Sequence, residues 1–287
     1  DPLWSRGLGD VYKRQVWFRR DLRAHDQAAL YHALTRCEQV FCAFVFDKDI
    51  LDALPRADRR VEFIRESLVE LDDSLRALSP QGRGGLIVWH AVASDAIPAL
   101  ANALDAQAVF ANHDDEPQAL DRDRLVRTRL AAAGKAFHTF KDHTLLERSE
   151  VLTQTGNPYS VFTPYKNAWL KKIDVFQLKS YPVERHAHHL AARPEAHCQP
   201  VPTLQDLGFE PTALSQLRLP TGAQGAQQLF DDFLGRIERY EDTRNFPAVK
   251  GPSYLSVHLR FGTISPRLLA RTAHRLMLEG NPGATTW

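Results

Sequence analysis

The sequence predicts an α/β fold: a doubly wound, five-stranded parallel sheet of Rossmann-like winding, followed by the start of an all-α domain. Three observations predict it. Short β-rich runs alternate with helical stretches five times between Gln15 and Phe140, the pattern of a parallel sheet wrapped by helices. One run, QVFCAFVF at 39–46, is almost continuously apolar, as a strand buried on both faces must be. From about Gly222 onward the β-rich runs stop and the apolar period becomes helical.

The elements follow in order. QVWFRR (15–20) reads as the first strand, and DQAALYHALTR (26–36) as a helix with Asp26 at its start. After the second strand, RRVEFIRESLVELDDSLRAL (59–78) sets Val61, Ile64, Leu68, Leu71 and Leu75 on one helical stripe. LIVWH (86–90) is the third strand, and SDAIPALANAL (94–104) a helix with Ser94 as N-cap. AVFAN (108–112) is the fourth strand. ALDRDRLVRTRLAAAG (119–134) is a helix closed by Gly134, and AFHTF (136–140) the fifth strand. Residues 141–222 read as a long connection, whose KSYPVERHAHHLAARPEAHCQPVPTL (179–204) is Pro-, Ala- and His-rich and linker-like. In the C-terminal part, Leu229, Phe233, Ile237 and Tyr240 share one helical side. YLSVHL is a short helix after Ser253, with Ser256 one turn in. SPRLLARTAHRLMLEG starts with Ser265 as N-cap and Pro266 at the first helical position, and Gly280 stops it.

Composition narrows the function classes. With 287 residues, 44% hydrophobic and 25% charged, the chain buries roughly 75% of its unfolded surface without disulfide staples. The net charge of +1 supplies no global field toward DNA or membrane, so nucleic-acid binding needs a local basic face. Cys37, Cys42 and Cys198 have no metal or redox spacing and read as free thiols in a reducing cytoplasm. No apolar run is long enough to span a bilayer. Residues 1–13 lack a starting Met, an apolar h-region and an amphipathic period, and read as a tail outside the fold, either extraneous or a disordered arm.

In a doubly wound sheet, ligands sit at the carboxyl ends of the strands. The residues there are Arg19, Arg20 and Asp21, then Asp47, then Asn112 to Glu116. No Gly-x-Gly-x-x-Gly follows the first strand, which disfavours a nicotinamide-dependent dehydrogenase. His186, His188 and His189 have no carboxylate or cysteine at ligand spacing, so no metal site is expected. Ser253 and Ser256, with the free N–H groups of the following helix, make a possible phosphate cradle, although most such pairs are plain helix caps.

Three segments carry a family resemblance. VWFRRDLRAHDQAAL (16–30), GNPYSVFTPYKNAW (156–169) and RYEDTRNFPAVKGPSYLSVHLRFGTISPR (239–267) resemble, in order, three motifs of the DNA photolyase and cryptochrome family. The resemblance is strongest to bacterial class I cyclobutane pyrimidine dimer photolyases. It implies light-dependent DNA repair: FAD in a helical domain passes an electron to a pyrimidine dimer flipped out of DNA, aided by an antenna chromophore in the α/β domain. The implied domains are 14–141 (antenna), 142–222 (connection) and 223–287 (part of the FAD-binding domain). The implied FAD-binding residues are Tyr240, Pro252, Ser253, Tyr254, Leu255 and Ser256, and Arg244 would contact DNA, a surface salt bridge being its alternative. The antenna pocket would involve Asp47, Asp114, Asp115 and Glu116. Its chromophore stays open between a deazaflavin and methenyltetrahydrofolate: DDEP is deazaflavin-like, and Gln118 and Ala119 replace the Asn-Glu pair of a folate site.

The pattern is departed from at Pro252 (usually Thr), Asn245 (usually Asp) and Val257 (usually Pro). One charge-assisted hydrogen bond lost from the cradle is worth about 1.5–3 kcal/mol, enough to weaken FAD binding without abolishing it. Arg260, Arg267, Arg271 and Arg275 either form a basic face for phosphates or a solvated helix face. Family members continue past Trp287 with the residues that meet the lesion. The expectation is therefore a C-terminally truncated, monomeric chain with no catalytic residue of its own, inactive alone, with exposed apolar surface on its helical segment. The alternatives are a cryptochrome-type light receptor and a stand-alone α/β chromophore- or nucleotide-binding module.

Overall fold

The computed structural model describes residues 12–217 and 219–287. The expected tail lies outside them except for its last two residues, and there the expectation fails for Lys13. Strand β1 (Lys13–Phe18) begins at it, pairing Lys13 with Gln39. The two charged residues at the strand start hide the strand from a hydrophobic pattern, yet Gln107 accepts from both the Lys13 N–H and the Arg14 guanidinium.

The sheet is parallel throughout, in the order β3-β2-β1-β4-β5, with β2 at Gln39–Asp47, β3 at Leu86–Ala91, β4 at Ala108–Asn112 and β5 at Ala136–Phe140. The winding reverses between β1 and β4, so a crevice opens beyond their carboxyl ends. Helices α1 (Ala28–Leu34) and α3 (Arg59–Leu78) cover one face, packing on Val16, Phe18, Phe44 and Phe110. Short α2 (Lys48–Leu51) follows β2 directly. Helices α4 (Ala93–Ala103) and α5 (Pro117–Ala132) cover the other face, over Trp17, Ala43, Val45 and Val109. The strict alternation of Val16 and Phe18 against Trp17 across β1 is the two-residue strand period feeding two layers.

Three helix starts differ from the sequence reading. The N-cap of α1 is Gln27, not Asp26, whose φ of 46° takes it out of the helix. The N-cap of α4 is Val92, not Ser94. The Ala93 N–H is satisfied by the Asp47 carboxylate at 3.1 Å, and Ser94 instead accepts from Arg129. The first helical residue after Tyr254 is Ser256 itself, since α10 spans Ser256–Phe261.

The connection is not a solvated linker. It contains α6 (Phe162–Lys172) and α7 (Val175–Leu178), and its Val183, Ala187, Leu190, Val201, Leu207 and Phe209 join the core beside α1 and α3. His189 is bonded through Nδ1 to the Leu34 carbonyl at 2.6 Å, and His186 meets the Tyr31 ring edge-on. The Pro- and Ala-rich composition concealed a 3₁₀ segment, Val183–His189, that drops Val183 and Ala187 into the core.

Helices α8 (Gly222–Leu234), α9 (Tyr240–Thr243), α10, α11 (Pro266–Leu278) and α12 (Pro282–Thr286) build a third cluster around Phe230, Phe233, Ile237, Leu255 and Ile264. Trp287 packs on Phe230 and Phe233, so the expected stripe is largely covered. A buried ion cluster joins this cluster to the α/β part. Arg23 donates to Asp142 at 2.6 Å, and Arg267 donates to Asp142 at 2.7 Å and to Asp26 at 2.9 Å.

Candidate functional site

The carboxyl edge of the sheet holds a cavity of about 580 Å³, within the range of small-molecule sites. The carboxyl ends of β1 and β2, the segments that follow β1, β2 and β4, and residues of α5 and α10 build it. Trp17, Phe44, Phe46 and Phe261 supply aromatic wall, and Asp47, Asp114, Glu116 and Arg122 the polar groups. Asp47 ends β2 and ties three elements together, accepting from the N–H groups of Asp49 and Ala93 and from Arg122 at 3.2 Å. The guanidinium groups of Arg19 and Arg122 lie 4.6 and 5.4 Å from the Trp17 ring centre. Arg122 keeps a buried Nε with no protein acceptor.

Arg20 bridges the mouth. It donates to Asp114 and Glu116, each at 3.1 Å, and to the Arg260 carbonyl. Burial alone would raise Asp114, but Arg20 and the Glu116 N–H hold it below the usual carboxylate range. The hydrogen bond from Arg260 holds Glu116 low in the same way. Asp21 is different. It is buried, accepts from Gln27 and Asn112 at 2.6 Å each, and is raised by desolvation, so it serves as an internal brace.

Of the four acidic residues the sequence pointed to, Asp47, Asp114 and Glu116 line this cavity. Asp115 does not: it turns out to solvent and pairs with Arg148 at 2.7 Å. Sequence reading missed Trp17, Arg122 and Phe261. Arg122 carries the one available signal, a cation within the first turns of the helix that follows β4. Phe261 comes from across the chain and leaves no local trace.

The second candidate region is the segment 236–256. Neither the Ser253 nor the Ser256 hydroxyl has a hydrogen bond among the described residues, and Ser256 is exposed at the start of α10. Leu255 is buried in the third core cluster, which anchors the segment. Tyr254 sits at φ 58° with its ring exposed. A further residue, Arg236, holds the region: it donates to the carbonyls of Lys250 and Gly251 and lies over the rings of Phe233 and Tyr254. Gly251 allows the backbone of Thr243 to come close, because a Cβ there would meet the Thr243 carbonyl oxygen at 2.7 Å. Tyr240 stands on Phe233, and Arg244 lies over the Tyr240 ring with no ion pair among the described residues.

Of the four arginines read as either a basic or a solvated face, one belongs to neither. Arg267 is buried in the ion cluster, Arg260 pairs with Glu116, Arg275 pairs with Glu279, and Arg271 donates to the Leu178 carbonyl.

The sequence profile of the DNA photolyase family matches residues 15–192, over half of the chain. The chain belongs to the DNA photolyase family. A deoxyribodipyrimidine photo-lyase of Halobacterium salinarum is 37% identical over 269 residues, covering 90% of this chain and 53% of the relative. An uncharacterised 31.6 kDa Synechococcus protein is 33% identical over 94% of each chain. The crystal structure of a bacterial class III photolyase from Agrobacterium tumefaciens superposes with a TM-score of 0.78 at 26% identity, covering 96% of this chain and 55% of that one. The chain thus spans about half the length of the curated photo-lyases it matches. The expected five-stranded α/β fold of this family is the fold observed.

Proposed function

We propose that this chain is the chromophore-holding part of a light-driven DNA-repair lyase, a deoxyribodipyrimidine photo-lyase, acting on DNA that contains pyrimidine dimers. One observation carries the reading. The cavity at the sheet's switch point and the segment carrying Ser253 and Ser256 are the two ends of one short stretch, because α10 leaves that segment and delivers Arg260 and Phe261 to the cavity wall.

In this reading, residues 14–141 hold the antenna chromophore, 142–222 connect, and 223–287 contribute to the FAD site. The cavity fits a planar aromatic chromophore, either a deazaflavin or a folate. Its aromatic walls would take the ring, and the guanidinium of Arg122, which lines the cavity, would meet a polar edge. FAD would be held by Tyr240 and by Pro252 to Ser256. The open Ser253 and Ser256 hydroxyls and the first N–H groups of α10 suit its phosphates, and Arg236 keeps the segment in place. When bound and reduced, FAD supplies the electron released by light. The residues of this chain position the two cofactors and, at exposed Arg244, offer a cation to a DNA phosphate. Unpaired Cys37, Cys42 and Cys198 support a reducing, cytoplasmic setting, and no helix among the described residues is long and apolar enough to cross a membrane.

The test is repair of an oligonucleotide containing one cyclobutane dimer, by a photo-lyase in which residues 14–287 of this chain replace the corresponding part, supplied with FAD, a reductant and blue light. The expected result is light-dependent restoration of the two pyrimidines. Chromophore retention with no restoration would contradict the repair reading and favour a cryptochrome-type receptor.

A further inference from the structure

A second cavity, of about 380 Å³, lies beside α5, the end of β5 and the turn at 147–150. Its wall contains an arrangement that the chromophore reading does not use. His113 is fixed at both ring nitrogens: Nδ1 meets Glu147 Oε2 at 2.7 Å, and Nε2 meets Thr139 Oγ1 at 3.1 Å. Its own N–H donates to the Phe140 carbonyl at 2.7 Å. The imidazole edge and the Thr139 hydroxyl are thereby held at the cavity wall with little freedom left to lose on binding.

Three arginines share this wall: Arg124, Arg127 and Arg148. Two carboxylates also line it, Asp114 and Asp123, but these are taken up from behind by Arg20 and Arg19. Arg127 has no ion pair among the described residues and is carried over the Phe137 ring at 5.3 Å. Among the described residues, Arg124 and Arg148 pair only with Asp121 and Asp115, both well exposed, and such surface pairs hold weakly against a competing dianion. Arg148 sits at φ 39°, an unfavourable backbone for a side-chain-bearing residue, and conformations of this kind gather at ligand sites.

We propose that this cavity is a second binding site, for a phosphate group carried by a small molecule. Several arginine N–H donors converge on it beside the Thr139 hydroxyl, the kind of donor set that a multi-oxygen anion needs. Among the described residues, Leu120 is the only apolar side chain in the lining, so a base or ring gains little apolar contact. Recognition therefore runs through the phosphate, and a sugar phosphate or nucleoside monophosphate fits the volume. The site is separate from the larger cavity, with which it shares only Asp114.

The test is calorimetric titration of the full chain with inorganic phosphate, ribose 5-phosphate and ribose. Saturable binding is expected for both phosphate-bearing probes and none for ribose. The double substitution Arg127→Gln with Arg148→Gln should weaken binding at least tenfold, and Thr139→Val a few-fold. Arg127→Lys should retain more than Arg127→Gln, and Lys166→Gln, a charge change on α6, should retain all of it. These side chains are at the surface, and circular dichroism would check that each variant folds. Absence of saturable binding, equal loss with Lys166→Gln, or displacement of the sugar phosphate by a short DNA duplex through the same arginines would overturn the proposal. Repair or chromophore retention is read separately, so failure here leaves the photo-lyase reading untouched.

Discussion

Asp142 has no exposed surface and faces two guanidinium groups, Arg23 and Arg267. Burial alone would raise its pKa, but the two arginines outweigh it and hold the carboxyl below its ordinary value of 3.8. A depressed carboxylate contributes stability above its unfolded pKa and loses it as pH falls through the folded one, so the contribution of this cluster is lost only below pH 3.8. Removing one partner strands buried charge, which costs about 3–5 kcal/mol. Arg267→Met should lower the urea unfolding free energy by that order, and a loss under about 1 kcal/mol would contradict the account. His258 behaves in the opposite sense to a paired histidine. Burial beside Phe63 pushes its pKa down to about 4, so between pH 6.5 and 4 the unfolded chain binds the extra proton. Stability should fall as pH drops through that window. Nuclear magnetic resonance titration should find His258 still neutral at pH 5.5, and a midpoint near 6.5 would refute it. Sequence reading took Arg267 for a surface cation because its helical spacing matched Arg260, Arg271 and Arg275. What buries it is Asp26, 241 positions away, and no local pattern records that.

At the scale of elements, α10 is the joint of the molecule. The Leu22 N–H donates to the Phe261 carbonyl at 3.1 Å, and Arg23 donates to the Gly262 carbonyl at 3.0 Å. Gly262 ends α10 at φ 64°, where a Cβ would run into the Arg20 carbonyl oxygen. Both the left-handed backbone and the close approach require glycine there. Gly262→Ala should therefore cost at least about 1 kcal/mol and pull Arg260 and Phe261 away from the cavity. Thermal unfolding of the variant, with chromophore affinity measured in parallel, checks both effects; unchanged values would show that α10 is not the joint. Elements defined by period and local caps were legible in the sequence. Helix α3 runs over the residues its apolar stripe marks, with Asp58 accepting from the Arg60 N–H, and Ser265 caps α11. Elements capped from elsewhere were not. Ser94 is the type of residue that caps a helix, but a carboxylate at the end of a neighbouring strand takes that place at α4.

For the whole molecule, the parallel sheet was readable because strands buried on both faces leave apolar runs that helices interrupt. Asp47, Asp114 and Glu116 were reachable by the rule that ligands gather at strand carboxyl ends, whereas the cavity's aromatic wall needed the packing of two layers and α10. Exposed apolar surface was expected on the C-terminal helical segment, where Phe246, Leu259 and Leu278 are exposed, and the connection exposes further apolar side chains. Val161, Phe162, Val175 and Phe176 are 61%, 71%, 80% and 81% exposed, and α6 has no buried residue. Patches of this kind bind hydrophobic dyes and favour association. The triple substitution of Phe162, Val175 and Phe176 to Ser should reduce both without lowering the melting temperature, as scattering and dye fluorescence would show. A fall of several degrees would mean that these side chains support the fold. The central claim is that the cavity at the switch point holds a light-absorbing chromophore. Gel filtration of the chain after incubation with a deazaflavin or with methenyltetrahydrofolate, read by near-ultraviolet and blue absorbance, tests it most directly. The account predicts close to one retained chromophore per chain and at least tenfold weaker retention by Arg122→Ala. Loss of both chromophores from the wild-type chain, or equal retention by the variant, would contradict it.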